Sequence, residues 1–319
     1  MLPDEIVRGQ HTHSGGLLKV ASRGSLAGYG SALLSAAMVG LFTVINKWLL
    51  VAETPALTAG AWTYMAAGVT LLPWAIKAGG LRFRRPVVFA AWILAGSVVG
   101  PSLYFIGLGL TSGMQGVLMI NMEAVFTAFI AFVLFREKIR SGTVAASLAI
   151  VAGGIWISWP PSGASLLAGN TLGNLLIALG YLGWAIENNL GRLLSEDTPT
   201  ATLVCVKAVA AGIVLGILAS LFKQELAIPW LVVPGVVMSG SVSLGLSLAL
   251  FYSAMRHIGA VRTGLISSTS VLWGLMGSFL LLGESLSHNT LIGGGLMLAG
   301  IAGFALEAAH SSQGDRARQ

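Results

Sequence analysis

Two carboxylates stand where the surrounding sequence offers them no water. Glu123 lies in INMEAVFTAF and Glu187 in YLGWAIENNLG, each inside a long apolar run. A carboxylate in hydrocarbon is expensive unless it faces a cavity or a partner, so such residues are functional candidates by default. A carboxylate of this kind can exchange a proton or hold a cationic solute, and the two can compete for it. The bland alternative is a satisfied buried pair, for instance with Lys207. Asn121 and Asn188 add donors and acceptors beside the acids. Tyr181 and Trp184 stand three apart, and with Tyr104, Tyr252 and Trp273 could offer an organic cation an aromatic face. Met119 and Met122 flank Glu123 and could line the same route, whereas Trp92, Trp156, Trp159 and Trp230 read as anchors at membrane edges.

The elements that must position these residues follow from composition. Hydrophobic residues make up 55% of the 319 and charged residues 9%, with mean hydropathy +0.83. A soluble domain carries roughly 25% charged residues, so this chain cannot cover a water-facing surface. Ten apolar stretches, at 27–50, 56–77, 87–109, 113–135, 141–159, 171–194, 201–222, 231–255, 261–282 and 289–308, are each near the roughly 20 residues that cross a bilayer as a helix. Strand-like alternation is absent, so a β-barrel is disfavoured. The expected class is an all-α membrane protein with ten transmembrane helices. Residues 1–26, which include His11 and His13, read as a disordered tail rather than a metal site or a signal peptide, and 309–319 as a second tail.

The chain repeats itself. At an offset of 147, Leu118 falls on Leu265, Phe132 on Phe279, Leu134 on Leu281, Glu137 on Glu284, Ala152 on Ala299 and Gly153 on Gly300. The expected units are 27–159 and 171–308, joined by a linker at 160–170. Each holds five helices, an odd number, so the second half enters the membrane from the opposite side. The two halves then form an inverted repeat, the architecture of a device that opens to each side in turn. Glu123 falls on Ser270 in this register, so the membrane acid is not duplicated. At an offset of 143, Gly40 falls on Gly183 and Asn46 on Asn189, which reads as helix packing through small residues and interhelical hydrogen bonds.

Orientation follows from Lys and Arg. With the N-terminus inside, fifteen basic residues fall on the cytoplasmic side and only Lys223 on the other, while Lys47 and Lys207 lie in or near helices. This positive-inside bias puts both termini in the cytoplasm and the protein in the inner (plasma) membrane. Glu137 and Glu284 sit at helix ends, where a carboxylate can reach backbone N–H groups of the next helix. They read as caps or gating residues on opposite faces.

The signatures FREKI and LGESL, which end helices four and nine, the Gly-rich helices that follow them and the five-plus-five layout resemble the EamA domains of the drug/metabolite transporter superfamily. Gly283–Glu284 matches the family's Gly-Glu pair, and Arg136–Glu137 keeps the Glu. Many members carry Pro early in helices four and nine, where this chain reads NMEAVF and STSVLW. The resemblance implies ten helices around a central cavity and transport of amino acids, nucleotide-like metabolites, amines or drugs.

Several classes are excluded or disfavoured. Phosphate loops and zincin motifs are absent, and one Cys rules out a thiolate cluster or an internal disulfide, so no metal and no cofactor is expected. The charge of +6 is dispersed between apolar runs, which argues against nucleic acid. No reactive constellation points to an enzyme. The expectation is a secondary transporter that exports small organic metabolites, amino acids or amines by alternating access, with proton coupling through Glu123. It would act as a monomer or homodimer in the lipid bilayer. An importer of the same fold is the alternative, and a non-transporting receptor or scaffold a third reading.

Overall fold

A computed structural model describes residues 14–82, 84–136, 141–159 and 169–316. His11, His13 and Glu137 lie outside the described residues, as does most of the expected linker. In hydrocarbon a backbone must satisfy its own N–H and C=O groups, and the described chain does so with helices alone. They form ten rods: α1 (Ser14–Val51), α2 (Ala56–Ala78), α3 (Pro86–Leu110), α4 (Gly113–Phe135), α5 (Ser141–Ser158), α6 (Asn170–Leu194), α7 (Thr200–Leu221), α8 (Trp230–Ile258), α9 (Ala260–Ser267 and Ser270–Leu282) and α10 (His288–Arg316). Seven of these, all but α2, α6 and α10, contain a span long and apolar enough to cross a membrane. The polar content of α6 has a plain cause, since it carries Glu187, Asn188, Asn189 and Arg192. Helix α1 starts thirteen residues before 27, and α10 runs past 308 to Arg316. These flanks hold no Pro, the residue that most strongly stops a helix.

The packing has the symmetry of the repeat. Helix α2 packs on α7, α5 on α10, α3 and α4 on α6, and α8 and α9 on α1. Exchanging the halves turns this set of pairs into itself. Small residues bring the backbones together. A Cβ on Gly153 would lie 2.4 Å from the carbonyl oxygen of Gly293, and one on Gly293 would lie 2.7 Å from that of Gly153. Gly107 and Gly173 do the same between α3 and α6.

Four interruptions also come in matched pairs. Wide π-helical turns occupy Leu94–Val99 in α3 and Met238–Leu246 in α8. Helix α4 breaks at Ile120, between Met119 and Asn121, and α9 breaks between Ser267 and Ser270. Neither break needs the Pro that the family resemblance led one to expect. The Asn121 amide donates to the Leu118 carbonyl at 2.8 Å, and the Thr269 hydroxyl donates to that of Ile266 at 2.7 Å. Side chains that bond backbone three residues back compete with the helical ladder and bend it.

Candidate functional site

A cavity of about 680 Å³ opens among α1, α2, α6, α7 and α8, with Glu123 of α4 on its wall. Its lining runs from the middle of the bundle to Ser195 and Thr200, at the ends of α6 and α7. The cavity is therefore open toward the basic end of the molecule. There, Arg85 pairs with Glu196 at 2.6 Å and Arg84 with Asp197 at 3.1 Å.

The break in α4 decides how Glu123 is presented. It falls in the first turn of the second segment, Asn121–Phe135, where the helix dipole favours a carboxylate. Asn188 of α6 donates to its Oε1 at 2.6 Å. Glu187, on the next residue of α6, is 6% exposed and pairs at 2.5 Å with Lys207 of α7. The wide turn of α3 backs this pair. Gly96 sits so close that a Cβ there would lie 2.3 Å from Cγ of Glu187, and the Ser97 hydroxyl donates to the Lys207 carbonyl at 3.1 Å. Two carboxylates and one ammonium thus share a single polar wall. The lining also takes Ser243 from the wide turn of α8, Ser247 just after that turn and Tyr252 further along the same helix.

The other end of the molecule is shut. Phe42, Tyr64, Tyr104, Phe105, Tyr181 and Trp184 form one aromatic layer, with Tyr104 5.2 Å from Trp184 and Trp184 5.1 Å from Tyr181 between ring centres. The Tyr104 hydroxyl donates to Thr43 at 2.9 Å. Beyond this layer both carboxylate oxygens of Glu284 accept backbone N–H groups, from Gly113 and Met114, at 2.7 Å each. Gly283, at φ 65°, is the left-handed C-cap that turns the chain so that Glu284 points there. Lys47 donates to the Leu108 carbonyl at 3.0 Å beside it.

Of the residues singled out in the sequence, Glu123, Glu187, Asn188 and Tyr252 line the cavity. Tyr104, Tyr181 and Trp184 come together as the layer that closes it. Asn121 spends its amide on its own helix, and Ser270 and Trp273 pack against Gly40 of α1 instead. Asn46 and Asn189 make the same bond, to the carbonyl four residues back (Phe42 and Ala185). Their interhelical bonds run from Thr63 of α2 to Asn46 and from Asn189 to the Thr127 carbonyl of α4. Gly183 lies against the wide turn of α3, close to Ala95 and Gly100. Glu284 does cap a helix, but the helix is α4 of the other half rather than the one that follows it. Trp92 is 2% exposed and lines the cavity, so it is no interfacial anchor. Lys207, named in the sequence only as a partner, proves central. Tyr64, Ser243 and Ser247 gave no signal, because isolated hydroxyls in Gly- and Ser-rich helices look like packing residues.

An all-helical membrane bundle of two like halves, with a charged cavity open at one end, is the form of a transporter. The EamA-like transporter family matches this chain twice, over residues 26–159 and 171–306. The chain belongs to that family and hence to the drug/metabolite transporter superfamily. An uncharacterized transporter of Methanothermobacter thermautotrophicus is 27% identical over 293 residues, covering 86% of this chain and 85% of that protein. The uncharacterized transporter YetK of Bacillus subtilis is 27% identical over 189 residues, covering 57% of this chain and 56% of that protein. A solved crystal structure, 22% identical, superposes with a TM-score of 0.60 over 90% of this chain and 97% of its own, a likeness of fold.

Proposed function

We propose that this chain is a gradient-driven carrier that exports small organic solutes bearing a cationic amine, amines or amino acids, in exchange for protons. All ten rods cross the inner membrane as two inverted five-helix repeats, with both termini in the cytoplasm. The described conformation is then the inward-open one. The observation that carries the proposal is the polar wall of the cavity, where Glu123 stands at the N-terminal turn of a broken helix beside the Lys207–Glu187 pair. Broken helices that meet near the middle of the bilayer are where carriers of this architecture hold solutes and ions.

Lys207 neutralises one carboxylate, which leaves Glu123 to be answered by a proton or by the ammonium of a solute. Alternation between these two occupants couples one flux to the other. Outward opening requires Glu284 to release the N–H groups of Gly113 and Met114 and the aromatic layer to part. The test is counterflow into proteoliposomes, screened over amines, amino acids and nucleosides and repeated across a pH gradient with Glu123→Gln. The proposal expects amine-dependent flux that responds to pH in the natural protein and not in the variant. Equal rate and equal pH response in both would remove Glu123 from the mechanism, and inward-only flux would reverse the direction.

A further inference from the structure

A second cavity, of about 270 Å³, lies among α4, α5 and α6, toward the end of the molecule that Glu284 closes, and shares no lining residue with the first. Its depth comes from Gly154, which leaves Met119 and Met122 of α4 as the floor. Its rim is Ile155, Trp159 and Leu175, which are 56%, 65% and 47% exposed. This rim sits on the outside of the bundle, so in a membrane its surroundings are lipid.

The cavity offers a polar solute few hydrogen bonds, because its wall is largely apolar. Thr171 donates its hydroxyl to the Ser158 carbonyl at 2.8 Å. Asn174 donates to Gln115 at 3.0 Å and accepts from Thr111 at 2.8 Å. What remains is apolar wall, which water does not fill. An empty void would forfeit the dispersion contacts of its lining, whereas hydrocarbon is present at high concentration at the rim. We infer that a bilayer phospholipid inserts one acyl chain here, wedged against the break in α4. Met119 and Met122 flank that break, and Glu123 follows on the next residue. The lipid chain thus becomes a packed part of the element that presents the acid.

The test uses the full-length protein in phosphatidylcholine vesicles doped with a phosphatidylcholine that carries a diazirine midway along one chain. After irradiation, adducts are mapped by peptide mass spectrometry. The inference predicts adducts on Met119 and Met122, which are only 2% and 9% exposed, besides those on the lipid-facing Leu148, which is 64% exposed. Gly154→Leu, whose side chain would grow toward Met122 and Met119, should lower the methionine adducts at least tenfold and leave those on Leu148. Adducts on Leu148 with none on Met119 or Met122 in the natural protein would overturn the inference. So would methionine adducts undiminished in Gly154→Leu.

Discussion

Glu123 and Glu187 are adjacent on one wall yet differ in what answers them. Glu187 has an ammonium, and Glu123 has only the amide of Asn188. Removing one member of a buried pair strands the other, at a cost of about 3 kcal/mol. Lys207→Met should therefore lower the unfolding free energy in detergent by that order, and Lys207→Met with Glu187→Gln should recover most of it. A double variant no more stable than the single would mean that the two do not form an energetic pair. A smaller effect attends the other half. Arg136 holds a left-handed backbone at φ 54°, as Gly283 does at the matching position. A side chain in that conformation costs about 1 kcal/mol, so Arg136→Gly should raise stability by about that amount, and a loss of stability would contradict it. At this scale the acids were legible because charge stands out in apolar sequence. Ser243 and Ser247 were not, because nothing in a Gly- and Ser-rich helix says which of its small residues line a cavity.

At the scale of elements, the repeat extends beyond sequence identity. The wide turns of α3 and α8 and the breaks of α4 and α9 fall at matching places, although few of their residues match. Wide turns of this kind occur often at functional sites, and here the one in α8 lines the cavity through Ser243 while the one in α3 backs the Glu187–Lys207 pair. Their fit is tight. Gly96→Ala would press a methyl group into Glu187, and overpacking of this order costs about 1–3 kcal/mol. The variant should lower transport at least tenfold, while Gly109→Ala, whose added carbon meets open space, should leave both transport and melting temperature unchanged. Equal behaviour of the two would show that the α3 turn does not position the acid. The helical character of the chain was legible in its apolar stretches, seven of which are long and apolar enough to cross a membrane. Their breaks were not, since the Pro that many family members carry there is missing from NMEAVF and STSVLW, and what bonds back to the ladder is a side-chain amide in one half and a hydroxyl in the other. Helix α1 begins at Ser14 and α10 ends at Arg316, inside the stretches whose polar composition reads as tails.

For the whole molecule, the closed end and the open end are built differently. An aromatic layer and the Glu284 contact to Gly113 and Met114 shut one, while the cavity reaches Ser195 and Thr200 at the other. The two-fold pattern of helix pairs means that neither half can move alone, since every principal contact except a few joins one half to the other. The repeat itself was legible in the sequence, and the family matches it twice, but which end is shut depends on contacts between α9 and α4 that no local pattern announces. The central claim is that the cavity faces one side at a time and that Glu284 decides which. It is tested most directly with Val39→Cys, a half-buried position on the cavity wall, placed in a Cys205→Ser background in sealed vesicles of known orientation. A membrane-impermeant maleimide should label it from the basic side only, and adding Glu284→Gln should make it reactive from the opposite side. Labelling from both sides at once without that substitution, or from the basic side alone with it, would contradict the account.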